Sequence, residues 1–234
     1  MDYMLLIVNR RGEPQREPIG LPEMGKYSRE LAEEGKLRGG APLRSDDAAV
    51  RVKVSGGRTE TTDGPFVETK EVIGGYLVFE ARDAAEALEI AKRCPAARAG
   101  LVELHGAMAD RVDSPASGGT RFMLLFLEGA DFEGDPDGSK YRQMEKWTDE
   151  LKREKRYVEC AGLPKSPPGA RIESRGGKIS VTDGPFAETK EIVGGYAVVV
   201  ARDREGAIEI AARCPHAAWG EIEVREVVPV PGPT

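Results

Sequence analysis

Thr62-Asp63-Gly64-Pro65-Phe66-Val67-Glu68-Thr69-Lys70-Glu71-Val72-Ile73-Gly74-Gly75-Tyr76 returns as Thr182-Asp183-Gly184-Pro185-Phe186-Ala187-Glu188-Thr189-Lys190-Glu191-Ile192-Val193-Gly194-Gly195-Tyr196, 120 residues downstream. The match extends outward: Met4-Leu5-Leu6 corresponds to Met123-Leu124-Leu125, and Arg93-Cys94-Pro95 to Arg213-Cys214-Pro215. A period this long is domain-sized, so the chain is a duplication and not a solenoid. Residues 1–112 form the first module and 120–230 the second. Asp113 to Gly119 reads as a flexible linker, and 231–234 as a tail.

Each module parses alike. Tyr3 to Val8 and Phe122 to Leu127 are short apolar runs suited to buried strands. Met24, Tyr27 and Leu31 share one helix face, as do Met144, Trp147 and Leu151. Alternating residues flank Gly56-Gly57 and Gly176-Gly177, which predicts β-hairpins with tight turns. Strands follow at Tyr76 to Ala81 and Tyr196 to Ala201. Asp83 then caps a helix with Glu86 three residues on, a capping box; Asp203 keeps the cap but Gly206 replaces the glutamate. Last strands cover Leu101 to Leu104 and Glu221 to Arg225.

This is a ferredoxin-like βαββαβ plan of the α+β class, repeated twice, with both helices of a module on one face of an antiparallel sheet. Such a sheet normally alternates apolar and polar residues, one face being wet. Met4 to Val8 and Tyr76 to Phe79 do not alternate, so the open face needs a cover. The other copy supplies it, giving two sheets face to face as an intramolecular pseudo-dimer. Edge strands leave a further homodimer open.

Composition narrows the function classes. With 40% hydrophobic and 32% charged residues the chain is globular. A net charge of −6 without a basic run argues against nucleic acid as partner. Met4 to Val8 is too short to cross a bilayer or to form a signal-peptide core, so no membrane role and a cytoplasmic location are expected. Three cysteines (Cys94, Cys160 and Cys214) give neither a disulfide framework nor metal-type spacing. Gly39-Gly40 and Gly74-Gly75 match neither a phosphate loop nor the dinucleotide fingerprint, and no cofactor is expected.

The Asp-Gly-Pro-Phe-x-Glu-Thr-Lys-Glu block, the Gly-Gly-Tyr strand and the Arg-Cys-Pro helix end, each present twice in order, resemble the YCII-related family, in the branch named for its DGPF signature. The resemblance covers both modules over nearly their full length. It implies a dimeric α+β barrel, here intramolecular, to which the strand argument also leads. That barrel is shared by small monooxygenases, haem-handling enzymes and ligand-binding regulators, so the fold does not choose an activity. Members of the branch are often encoded near extracytoplasmic-function sigma factors, which suggests a regulatory setting. Relatives nearer the family's namesake carry a His-Asp pair proposed to be catalytic, and neither copy here has a matching histidine.

Asp63, Asp183 and His105 are the candidate catalytic residues. The aspartates can serve as general bases at a cleft edge. They equally suit a turn in which Asp bonds its own backbone, Gly64 is free to take positive φ and Pro65 fixes the exit. Phe66, Glu68 and Lys70, with Phe186, Glu188 and Lys190, are candidate ligand contacts on loops held by a rigid scaffold. The bland account is a solvated loop with weak ion pairs. Glu103 and His105, two apart on a strand, share a face and can hold a proton or offer ligands; Glu223 and Arg225 stand there in the second copy. One His and one Glu are too few for a metal site, so none is assigned, and an exposed edge strand is the plainer reading. His216 suits a helix-end cap serving the dipole. Cys94 and Cys214, at the wrong helix end for activation, read as buried small hydrophobes.

The leading expectation is a small-molecule-binding protein with a cleft lined by the duplicated Asp-Gly-Pro-Phe segments, its status as an enzyme left open. The alternative is a non-enzymatic regulatory partner of a protein such as a sigma factor. A duplication retained for structure alone is the third reading.

Overall fold

The computed structural model describes residues 1–12, 21–112, 118–129, 134–164, 169–175, 178–184 and 191–230. Within them the first copy runs β1 (Asp2–Arg10), α1 (Leu21–Glu33), β2 (Leu37–Pro42), β3 (Val50–Ser55), β4 (Arg58–Asp63), β5 (Glu71–Glu80), α2 (Ala84–Arg93), α3 (Pro95–Ala99) and β6 (Leu101–Arg111). The second runs β7 (Thr120–Gly129), α4 (Ser139–Arg153), β8 (Tyr157–Gly162), β9 (Ala170–Arg175), β10 (Lys178–Asp183), β11 (Glu191–Ala201), α5 (Arg204–Arg213) and β12 (Glu221–Glu226).

Strand order is β2-β5-β1-β6 in one copy and β8-β11-β7-β12 in the other, both antiparallel. Each is a ferredoxin-like sheet, but not assembled from the strands the pattern predicts. The expected second core strand is the Gly-Gly hairpin; the observed one is β2 or β8. Leu37-Arg38-Gly39-Gly40-Ala41-Pro42 has little strand propensity, and pairing with β5 holds it extended. Its counterpart β8 pairs with β11 in the same way.

The hairpins are instead exchanged. β3–β4 leaves its own copy and pairs with β12, placing Val52 opposite Ile222. β9–β10 crosses back and pairs with β6, placing Ile172 opposite Val102. Gly56 and Gly57 sit at φ +57° and +75°, the left-handed pair a two-residue turn of this kind requires. Val50 and Val52 enter the other copy's helix-side core, and Ile172 enters the reciprocal one. Each such side chain contributes about 1.5–3 kcal/mol when buried, so the exchange ties the copies together.

Both faces of the central strands are covered, as their lack of alternation requires. Tyr3, Leu5, Leu77 and Phe79 face helices α1 and α2, with Phe122 and Leu124 equivalent in the second copy. Met4, Leu6, Tyr76 and Val78 face inward and join Met123, Leu125, Tyr196 and Val198 in one core shared by the two copies. The sheets connect where Met108 to Arg111 of β6 pair with β8. Past the other ends, Leu43 bridges Val227, Arg44 N donates to Glu226 O at 2.9 Å, and Val228 N to Pro42 O at 2.9 Å.

Helix ends follow the sequence closely. Glu86 N and Gly206 N each donate to the capping Asp Oδ1 at 2.9 Å. The Glu86 carboxylate reaches Arg82 N at 2.8 Å, one residue beyond the capping box. His216 is no dipole cap. It is buried, donates from Nε2 to Leu127 O at 3.0 Å and accepts from Trp219 Nε1 at 3.1 Å. Burial lowers its pKa, and those two bonds fit the neutral ring. Cys94 and Cys214 are buried, and burial pushes the Cys94 thiol up to about 11. Among the described residues no helix is long and apolar enough to cross a membrane.

Candidate functional site

Register decides which charges meet. On β6, Glu103 lies opposite Leu6, and His105 opposite Met4. Leu6 and Met4 belong to the shared inner core, so the Glu103 and His105 side chains start from the inner face. The exchanged strand β9 places Arg171 opposite Glu103 and Glu173 opposite Leu101. The histidine is therefore not on an edge strand: β6 has β1 on one side and β9, then β8, on the other.

The resulting cluster is continuous. Arg171 Nε donates to Glu103 Oε1 at 2.7 Å, and its Nη2 to Glu71 Oε2 at 2.7 Å. His105 Nε2 lies 3.3 Å from Glu103 Oε2. Arg10 donates to Glu173 at 2.9 Å and to Glu71 at 3.4 Å. Burial alone would raise Glu103, but the bond with His105 and the charge of Arg171 hold its carboxyl below the usual range. With side-chain exposures of 11–13%, Glu103, His105 and Arg171 are sheltered yet reachable.

The equivalent place in the other half carries fixed charge. Arg225, 1% exposed, donates to Glu223 Oε1 at 3.0 Å and to Arg44 O at 3.1 Å. Arg51, from exchanged strand β3, lies 3.4 Å from Glu223 Oε2. The Phe66 ring covers its guanidinium at 4.3 Å, and Thr69 Oγ1 accepts from it at 3.3 Å.

The Asp-Gly-Pro-Phe segment thus acts mainly through Phe66. Asp63 is exposed and pairs with Arg204 at the start of α5. Gly64 does not take positive φ; a side chain there would collide with the Asp46 carbonyl, so close approach selects glycine. Glu68 and Lys70 are exposed, and Asp183 is exposed at the end of β10. Phe186, Glu188 and Lys190 lie outside the described residues. The structure gathers Glu103 and His105 in one cluster and Phe66 and Arg225 in the other; Asp63, Asp183, Glu68 and Lys70 reach neither inner face.

Arg171, Arg51, Glu71, Arg10 and Thr69 complete these clusters; Glu71 and Thr69 lie within the repeated block, while Arg171, Arg51 and Arg10 escape a motif-centred reading. The repeat carries a signal for all of them but Arg10, Thr69 recurring as Thr189. Arg51 and Arg171 are equivalent across the copies, and so are Glu71 and Glu191. Among the described residues no three His, Cys, Asp or Glu side chains gather closely enough to hold a metal ion.

Two linked ferredoxin-like sheets, each closing a charged inner cluster with the other's hairpin, define a duplicated α+β protein. The YCII-related domain matches residues 1–105 and again 120–231, so the chain belongs to the YCII-related family, in two tandem copies. It is also 36% identical over 70 residues to an uncharacterized protein of Rhizobium meliloti (strain 1021). That stretch is 30% of this chain and 56% of the relative, so the chain spans a little over half of that protein.

Proposed function

We propose that this chain is a cytoplasmic small-molecule-binding protein of the DGPF-signature branch, whose Glu103–His105 pair handles a proton on a bound polar molecule. One observation carries the reading: the exchanged hairpin delivers Arg171 to Glu103 and His105 on the inner face. A Glu that orients an imidazole, itself held by an arginine, is the arrangement general acid–base chemistry uses. Imidazole is the side-chain type suited to exchange protons near neutrality. Arg10 and Arg171 offset the carboxylates of Glu71, Glu103 and Glu173 and keep the cluster polar. The three cysteines make no disulfides, in keeping with a reducing compartment.

The same reading treats the eight core strands as an intramolecular dimeric α+β barrel. The Leu43–Val227 bridge and its flanking bonds support closure between the ends of β2 and β12. In such a barrel the shared core is the interior, and the two charged clusters line its wall.

The test exploits the presence of only two histidines. His105 and His216 give two separate imidazole Cε1–H resonances by NMR. In a panel of small hydroxy, keto and amino acids, at least one compound should move the His105 signal and leave His216 still. Arg171→Ala should abolish that response. A panel that moves neither signal, or moves both alike, sinks the reading.

A further inference from the structure

Six residues beyond His105 on β6, about 20 Å along the strand, a different polar group lies within the shared core. Arg111 Nε donates to Glu159 Oε2 at 2.9 Å, and its Nη1 donates to Asp2 at 2.7 Å. Glu159 is 5% exposed and Tyr196 is fully buried. Tyr76 and Tyr196 bring the two copies' Gly-Gly-Tyr side chains together, ring centroids 5.9 Å apart. Both tyrosine hydroxyls lie toward the Glu159 carboxyl and, by hydrogen bonding, pull its pKa down against the effect of burial.

Two atoms here are left over. The Tyr196 hydroxyl and Arg111 Nη2 are buried without a hydrogen-bond partner. The hydroxyl is within weak hydrogen-bonding reach of Glu159 but falls short of a full bond to it. Buried polar atoms in native folds are nearly always satisfied, so each such orphan calls for something that binds it. The duplication adds a second sign. Where β8 carries Glu159 and Ala161, β2 carries Gly39 and Ala41, and a side chain on Gly39 would only just touch Glu159 at 3.8 Å. One acid thus serves two tyrosines, with only small side chains facing it from β2.

We propose that this cluster is a second ligand site, taking the uncharged hydroxyl head of a small, otherwise apolar molecule such as a phenol or alcohol. The chemistry follows from the inventory. Arg111 already faces two carboxylates, so the site has no spare positive charge for an anion. A hydroxyl accepts from Arg111 Nη2 and from the Tyr196 hydroxyl while donating to Glu159. Met4, Leu6, Met123 and Leu125 belong to the same apolar core as Tyr76 and Tyr196.

Tyr196→Phe in the free protein is the first arm. A hydroxyl with no internal bond can be deleted without loss, so the melting temperature should hold or rise. A clear fall means that the hydroxyl is bonded inside, and overturns the proposal. The second arm is titration of phenol, benzyl alcohol and cyclohexanol at millimolar concentration, read by calorimetry and thermal shift. Saturable binding to the wild type should weaken about tenfold or more in Tyr196→Phe and in Glu159→Gln. It should persist in His105→Asn, which separates this site from the Glu103–His105 cluster. If none of the three probes binds, or if Tyr196→Phe binds them equally well, a buried water alone fills the site and the proposal falls.

Discussion

The two charged clusters occupy equivalent places in a duplicated chain, yet one contains an imidazole where the other contains a guanidinium. At the Arg225 end two arginines share Glu223, and Arg225 is 1% exposed and bound to a backbone carbonyl. At the His105 end the histidine side chain keeps 11% exposure, and Glu71 and Arg10 extend the network outward. Duplication lets one copy fasten the assembly with permanent charge while the other carries an imidazole in the same place. The asymmetry, more than the motif, is what distinguishes the two ends.

The largest effect is expected at the fastened end. Arg225→Ala leaves Glu223 buried against Arg51 alone and strips the Arg44 carbonyl of its donor. Breaking a buried pair on one side costs about 3–5 kcal/mol, which denaturant unfolding would measure directly. Arg225→His sharpens the comparison by giving both ends the same chemistry. Its loss should shrink as pH falls from about 8 to about 6, because a charged imidazole replaces the missing cation. A pH-independent loss would mean that the fit of Arg225, and not its charge, holds this end.

Arg171→Ala is the matching cut at the other end, removing bonds to both Glu103 and Glu71 from the crossing strand. The cluster is more open, so the loss should be smaller, about 2 kcal/mol. A cost equal to that of Arg225→Ala would erase the distinction between the ends.

Acid should reveal the open end next. Glu103 is held below its ordinary pKa, so its stabilising share is present above the unfolded value and lost as pH falls through the folded one. Glu159 is shifted the other way. Burial raises it against the pull of Arg111, so its share is present below the unfolded value and lost as pH rises through the folded one. Glu103→Gln should flatten the acid limb of a stability–pH curve. Glu159→Gln should leave that limb intact and raise stability at neutral pH. Each change should be smaller than that of Arg171→Ala, and a common slope for the two variants would refute the assignment.

Much of the fold was legible because the repeat fixed equivalences and the central strands are apolar on both faces. The shared core of Met4, Leu6, Met123 and Leu125 is the direct consequence. The exchange of hairpins was not legible. β3 and β9 read as ordinary hairpin strands, and nothing local tells Val52 or Ile172 which copy's helices to join. The true second core strands were hidden by low propensity, Gly39, Gly40 and Pro42 on β2 among the causes, with tertiary pairing overriding it. For the candidate site, alternation put Glu103 and His105 on one face, duplication pointed to Arg225, and the repeated motif pointed to Phe66. Arg171 and Arg51 were missed because their partners lie on strands of the opposite copy.

The smallest effect is expected where the motif is most visible. Asp63 is exposed and its partner Arg204 sits on a helix start, so the pair is the kind that contributes little. Asp63→Asn should shift unfolding by less than about 0.5 kcal/mol. Phe66→Leu, three residues away, should cost more, because the ring is buried and covers Arg51 on a strand that crosses between copies. If Asp63→Asn proved the more damaging of the two, the carboxylate would be holding the turn, and the Asp-Gly-Pro-Phe segment would count as scaffold through its first residue and not its last.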